Sequence, residues 1–229
     1  MSLYAPSVPA VGAASLDRRL LLGGALALGA LPLGACSGPI AVDIAAGGAA
    51  RLAAAAQHQL GVTRAYDSGY RVLAYPGGDV PRATGVCCDV VIRAARDGLG
   101  VDLQQKVHED MTAAFGAYPS HRLWGLSKPD ANIDHRRVPN LEVWFARQGA
   151  QLWRATKAVD GAAFPGPLRT GDILTWRSGR GRPHIGLVSR GGRNPMIIHN
   201  MGSGVMQHGL WPMAVLQRAA GHYRWPTPR

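Results

Sequence analysis

Two adjacent cysteines, Cys87 and Cys88, follow the small-residue turn Thr84-Gly85-Val86 and open the apolar run DVVIRAA. A thiol is a weak nucleophile until it ionises, and the unpaired N–H groups at a helix start favour the thiolate. A nearby imidazole would favour it further, and a third polar group would be needed to orient that ring. Two histidines stand where strands could deliver them: His184 opens HIGLVS and His199 ends MIIH. If those runs pair as neighbours, both imidazoles lie on one face. Cys87, His184 and His199 then make a Cys–His–His constellation, with Asn200 as reserve orienter. A structural reading competes with this one. Free cysteine is among the most buried residue types, a strand-end histidine is commonly just half-buried, and an oxidising compartment would permit a strained Cys87–Cys88 disulfide.

The elements that must position these groups can be read along the chain. Ala49–Leu60 is alanine-rich and ends at Gly61, a helix with a glycine stop. Tyr66–Tyr75 carries spaced aromatic and branched residues before the turn Pro76-Gly77-Gly78, the pattern of a strand pair. Thr84 can cap the cysteine helix, Asp89 suits its first turns and Gly98 can end it. Leu103, Val107, Met111 and Phe115 recur at four-residue steps behind Asp102, a second amphipathic helix. An irregular stretch, 119–139, precedes a short helix that Asn140 caps and that carries Leu141, Trp144 and Phe145. The runs GDILTW, HIGLVS and MIIH are then β-rich and separated by turn residues. Helices first and an antiparallel meander second make an α+β layout.

The first 36 residues precede the fold. Asp17-Arg18-Arg19 leads into the uncharged run LLLGGALALGALPLGAC, the apolar part of an export signal. Its end, Leu33-Gly34-Ala35-Cys36, resembles a bacterial lipobox, so Cys36 is the expected lipidation site and membrane anchor, the alternative being an ordinary secretory signal and a periplasmic or secreted protein. The arginine pair leaves Sec and twin-arginine export both open. Residues 37–48 read as a tether and 49–229 as a single domain. The expected location is extracytoplasmic, in a bacterial cell envelope.

Of the chain's 229 residues, 47% are apolar and only 3 are cysteine, which excludes a disordered chain and a disulfide scaffold. The net charge is +11, yet Lys106, Lys128 and Lys157 are the only lysines, and no run of five basic residues occurs. Without basic residues clustered among aromatics, nucleic acid is not an expected partner. His108-Glu109 begins like a zinc-protease helix, but Thr112 stands where the second histidine is required. No metal or organic cofactor is expected. Asp134, His135, Arg136 and Arg137 are candidate substrate-binding residues, an arginine fork matching a carboxylate, or else an ion-pair cluster pinning a long loop. Arg177, Arg180 and Arg182 read as a solvated turn, with positive potential at a cleft mouth as the other reading.

The ordered set GVCCDVVIRA, VDLQQKVHEDM, PDANIDHRRVPNL, GDILTW, HIGLVS, IIHN and GHYRW resembles the NlpC-type cell-wall cysteine peptidases of the papain-like superfamily. More closely, it resembles an uncharacterised bacterial domain-of-unknown-function family assigned there. The resemblance spans Tyr66 to Trp225. It implies a papain-like fold, N-terminal helices packed on an antiparallel sheet with a helical and loop insertion between them. It also implies Cys87 as nucleophile, His184 as general base and His199 as orienter. Two departures stand out: Cys88 occupies a position where relatives carry a small hydroxyl residue, and the insertion before Asn140 is absent from simple cell-wall peptidases.

The expected function is therefore an extracytoplasmic cysteine hydrolase that cleaves amide bonds in cell-wall peptides. Asn200 joins the insertion residues as a candidate for substrate binding. Two alternatives stay open: the same machinery acting on lipid or other acyl donors, by hydrolysis or transfer, and a wall-binding module without activity.

Overall fold

The computed structural model describes residues 44–159 and 164–226. The leader with Cys36, and residues 37–43 of the tether, lie outside the described residues. The first helix, α1 (Ile44–Gln57), begins inside the stretch read as tether and stops short of Leu60. Each glycine in a helix costs about 1 kcal/mol. Gly47 and Gly48 are nevertheless carried, because the helix buries Leu52 and Ala56 completely.

Two-residue strands β1 (Ala65–Tyr66) and β2 (Thr84–Gly85) pair in parallel. The strand pair expected over Tyr66–Tyr75 does not form beyond β1. Tyr70, Val72 and Tyr75 are exposed, so the aromatic spacing had no core face to serve. The segment is instead tied to the insertion, with Asn132 accepting from the Leu73 N–H at 2.8 Å and Asp130 from the Tyr70 hydroxyl at 3.1 Å.

The cysteine helix is α2 (Cys87–Leu99), buried over most of its length. Its start is capped from inside rather than by Thr84: the Asp89 carboxylate reaches back to accept from the Val86 N–H at 2.6 Å. The stop is Gly100, at φ 69°, not Gly98. Gly98 serves helix packing, since a Cβ there would lie 2.7 Å from the Arg51 carbonyl oxygen of α1. Next, α3 (Leu103–Ala114) is capped by Asp102 as expected, and Leu103, Val107 and Met111 are fully buried. Phe115 lies just beyond, in a single 3-10 turn.

The insertion contains α4 (Ser120–Trp124) and a 3-10 turn at Asp134–Arg136 before α5 (Val138–Arg147). Asn140 sits inside the first turn of α5 rather than ahead of it. Its buried amide donates to the Asp134 carbonyl and accepts from the Ser120 hydroxyl, both at 3.2 Å. It clamps the insertion onto the helix.

The sheet is built from β3 (Gln151–Val159), β4 (Asp172–Ser178), β5 (Pro183–Arg190), β6 (Met196–Asn200), β7 (Val205–Gly209) and, after α6 (Leu210–Leu216), β8 (Gln217–Arg224). Their order is β3-β8-β4-β5-β6-β7, and all neighbours are antiparallel. The expected runs became β4, β5 and β6. Alternation along them divides the core in two. Ile173, Ile185, Leu187 and Ile198 pack towards the helices, while Leu174, Trp176, Val188 and Ile197 pack with Leu168 and Met213. Full burial of each such side chain contributes about 2 kcal/mol. The fold is a mixed α+β domain with an open antiparallel sheet.

Candidate active site

Cys87 is the first residue of α2, where backbone N–H groups lack intrahelical partners. Opposite it run β5 and β6, whose ladder pairing begins at Leu187 and Ile198. The helix packs against β5 and β6. The Cys88 thiol, the His184 imidazole and the Ile185 N–H are the polar groups that act on the Cys87 sulfur. The Cys88 bond, then the bond and charge of His184, hold the Cys87 thiol well below its usual range against the opposing effect of burial. Burial, and next to it the Cys87 charge, push the Cys88 thiol up. Cys88 is therefore the protonated donor and Cys87 the ionising acceptor.

Tyr66 adds a further donor. Its ring lines the same cleft as Cys87, and burial followed by the two neighbouring thiols pushes its pKa up, so it stays a phenol. It reaches the sulfur because β1 pairs with β2 immediately before the cysteine turn, Tyr66 opposite Gly85. Tyr66 was not among the residues singled out from sequence. It lies in a segment read as an ordinary strand pair, and its distance of about twenty residues from Cys87 carried no signal.

The imidazoles form a row across the sheet. His184 Nε2 lies 3.2 Å from His199 Nδ1, and His199 Nε2 lies 3.0 Å from His208 Nδ1. Trp176 continues the row on β4, its ring centroid 6.0 Å from that of His184. With His184 Nε2 engaged, Nδ1 is the nitrogen left for the sulfur. His199 is 1% exposed, and burial, then His184 and His208, lower its pKa to about 3, so it is neutral. His208 was also missed. The run VMQHG between two glycines is too short and polar to read as a strand, although its histidine ends it much as His199 ends β6.

One wall of Cys87 opens on a cleft of about 270 Å³ lined by Tyr66, Ser68, Arg136, Arg137 and Arg182 among others. Trp124, Pro139 and Pro183 line both this cleft and a neighbouring basin of about 660 Å³. The basin carries Arg122, Arg154 and Arg177, with Glu142 as the sole acid among the described residues that line it. Arg177 holds Glu142 at 2.6 and 2.9 Å. Among the described residues no carboxylate pairs with Arg122, Arg154 or Arg182. Two members of the expected solvated turn, Arg177 and Arg182, thus line the trough.

The insertion residues divide. Arg136 and Arg137 line the cleft, but neither guanidinium is spare. Arg136 forks onto the buried Asp89 carboxylate at 2.9 and 3.0 Å, and Arg137 pairs with Asp134 at 3.2 Å while stacking 4.1 Å over the Trp124 ring. Asp134 and His135 do not face the cleft as substrate ligands: both are buried. Asp134 accepts from the Asp130 N–H and from Arg137, and burial lowers His135 to about 4. The stretch pins a loop, as the ion-pair alternative had it. Asn200 is corrected too. It is fully buried and donates to the carbonyls of Gly85 at 2.9 Å and Ala65 at 3.4 Å. It fastens the end of β6 to the strands that carry Tyr66 and precede Cys87, and it touches no histidine of the row among its recorded hydrogen bonds.

Among the described residues no group of three or more His, Cys, Asp or Glu is arranged to hold a metal ion. The arrangement can generate a thiolate beside an imidazolium, with N–H and O–H donors converging on one point.

A family model described as a domain of unknown function, DUF1287, matches residues 53–225. The uncharacterized protein YijF of Escherichia coli (strain K12) is 45% identical over 193 residues, covering 82% of this chain and 86% of the relative. The match takes in the cysteine helix, the insertion and every strand of the sheet, and the chain belongs to the DUF1287 family.

Proposed function

We propose that this protein is a papain-like cysteine hydrolase of the bacterial cell envelope, related to the NlpC-type peptidases, that cleaves amide bonds in cell-wall peptides. The observation that carries the reading is the Cys87 sulfur at a helix start beside His184, which lowers its pKa and meets His199 through Nε2. Cys87 is the nucleophile, His184 the proton carrier and His199 the group that orients it. Nothing in the sequence of steps calls for a cofactor.

His184 holds the thiol proton, and the thiolate attacks the amide carbonyl carbon, forming a C–S bond and an oxyanion. The free N–H groups of the α2 start and the Tyr66 hydroxyl are the donors placed to receive that charge. The C–N bond then breaks as His184 passes its proton to the departing amine. Water, deprotonated by His184, attacks the thioester and the C–S bond breaks. This releases the acid and restores the thiol. Unpaired guanidinia at Arg122, Arg154 and Arg182 suit a peptide that carries carboxylates. Export by the leader and lipidation at Cys36 would put the domain where that substrate lies.

The test is digestion of purified cell wall by the intact domain, with released peptides identified by mass spectrometry. New amine and carboxyl ends that Cys87→Ala fails to produce support the reading. Acyl transfer from lipid donors with the wall left intact would replace the substrate. Alkylation of Cys87 no faster than that of an unfolded thiol would leave a binding module.

A further inference from the structure

The row of imidazoles does not stop at the pair that the proposed chemistry uses. His208 Nδ1 lies 3.0 Å from His199 Nε2, on the side of that ring remote from His184. β6 and α6, the elements flanking β7 in chain and sheet, carry no other titratable side chain, and His208 is half-buried. A neutral imidazole has one N–H and one lone pair, so the two neighbours of His199 cannot both receive a proton from it, nor both donate to it.

Resting on the cysteine-hydrolase reading, we infer that His208 is a positioning residue: it is the terminal acceptor that fixes His199 in the Nε2–H tautomer. The bookkeeping follows from the geometry. An imidazolium at His184 carries protons on both nitrogens, one towards the sulfur and one towards His199. His199 must therefore offer a lone pair at Nδ1, and its own proton sits on Nε2. That proton needs an acceptor, and the Nδ1 lone pair of His208 supplies it. The two imidazole–imidazole hydrogen bonds then run in one direction, away from the sulfur, while His184 donates its other proton to the sulfur. Without the acceptor, the Nε2–H of a buried ring is left unpaired, and the opposite tautomer, with its N–H aimed at His184, becomes competitive. That tautomer cannot accept from an imidazolium and so disfavours the ion pair. The neutral state of His199, forced by burial, makes the choice between tautomers unavoidable.

The substitutions that separate this role from packing are His208→Leu, which removes the acceptor, and His208→Asn, whose side-chain oxygen replaces Nδ1. Three measurements apply to the folded domain: the nitrogen chemical shifts of His199, the ultraviolet thiolate absorbance of Cys87 against pH with Cys87→Ala as blank, and kcat with KM on an amide substrate. The Leu variant should lose the pure Nε2–H signature, need higher pH to form the thiolate, and lose about tenfold or more in kcat at unchanged KM. The Asn variant should recover all three to within about threefold. Wild-type tautomer and thiolate titration in the Leu variant would overturn the inference, as would an Asn variant as impaired as Leu. Two of the readouts need no substrate. If no amide is ever cleaved but tautomer and thiolate respond as described, the positioning role stands and the hydrolase reading falls. If hydrolysis proceeds unaltered by either substitution, the inference alone falls.

Discussion

Cys88 directly follows Cys87 at the start of one helix, and the neighbouring Cys88 thiol is the largest influence lowering the pKa of Cys87. The two side chains are consecutive on one helix and both buried, yet their pKa values move in opposite directions: the Cys88 thiol and then His184 lower Cys87, while burial and then Cys87 raise Cys88. This gives Cys88 a role beyond filling space.

A hydroxyl can replace that donor and an aliphatic group cannot. Cys87→Ala should reduce kcat/KM by about a thousandfold or more. Cys88→Ser should stay within a few-fold of wild type, while Cys88→Val should shift Cys87 ionisation to higher pH. Alkylation rates against pH, with the modified residue identified by mass spectrometry, separate the three. A Cys88→Val variant that titrates like wild type would remove the donor role.

The trough beside Cys87 should select for charge. Arg122→Gln combined with Arg154→Gln is expected to raise KM for a peptide with acidic side chains about five- to tenfold, with kcat kept, because binding outside the reacting bond is lost. The amidated form of the same peptide should not distinguish the variants, and added salt should narrow the gap. Steady-state kinetics on the matched pair decides it. Equal KM changes for both peptides would show that the arginines act through structure.

Gly186 sits where β5 passes the histidine strand. A Cβ there would lie 2.9 Å from Ile197 Cγ2, 3.1 Å from the Ile198 carbonyl oxygen and 3.2 Å from His199 Cβ. Gly186→Ala should cost about 1–3 kcal/mol of stability by overpacking. Because relief requires β6 to move, activity should fall further than stability accounts for. Urea unfolding and kcat measured together provide the comparison, and full activity at reduced stability would mean that His199 had not shifted.

Acid should weaken the fold through His135. Burial lowers its pKa from 6.5 to about 4, so the folded state prefers the neutral ring. Between these values the unfolded chain binds the proton more readily. The contribution is complete above about pH 6.5 and is lost as pH falls through about 4, amounting to about 3 kcal/mol. His199, lowered to about 3, adds in the same direction. His135→Leu should flatten the fall in urea midpoint between about pH 7 and pH 5. An unchanged slope would assign the acid sensitivity elsewhere.

The sequence made the helix with Cys87 and the strands with His184 and His199 legible because each is a short apolar run bounded by turn residues. Periodicity reports burial, and these elements are the buried ones. The same logic misled at Tyr66–Tyr75, where aromatic spacing belongs to an exposed loop held by Asp130 and Asn132. Asp134 and Asn200 stand near motifs in the sequence but are buried and bonded to backbone, because polarity near a motif does not say which way a side chain points. Asn200 follows His199 directly, but the alternation of a strand sends neighbours to opposite faces. Tyr66 and His208 escaped for a different reason. Each reaches the site through pairing with another segment, β1 with β2 and β7 with β6, and strand register is a tertiary fact.

The sulfur is carried by a helix in the first half of the chain, while the imidazole that activates it arrives with strands near the other end. A polypeptide made N-terminus first therefore begins with an ordinary, sluggish thiol. Reactivity is born only when the late strands close onto the early helix, so the molecule arms itself by completing its own folding. In strong denaturant, Cys87 should alkylate with the pH profile of a simple peptide cysteine.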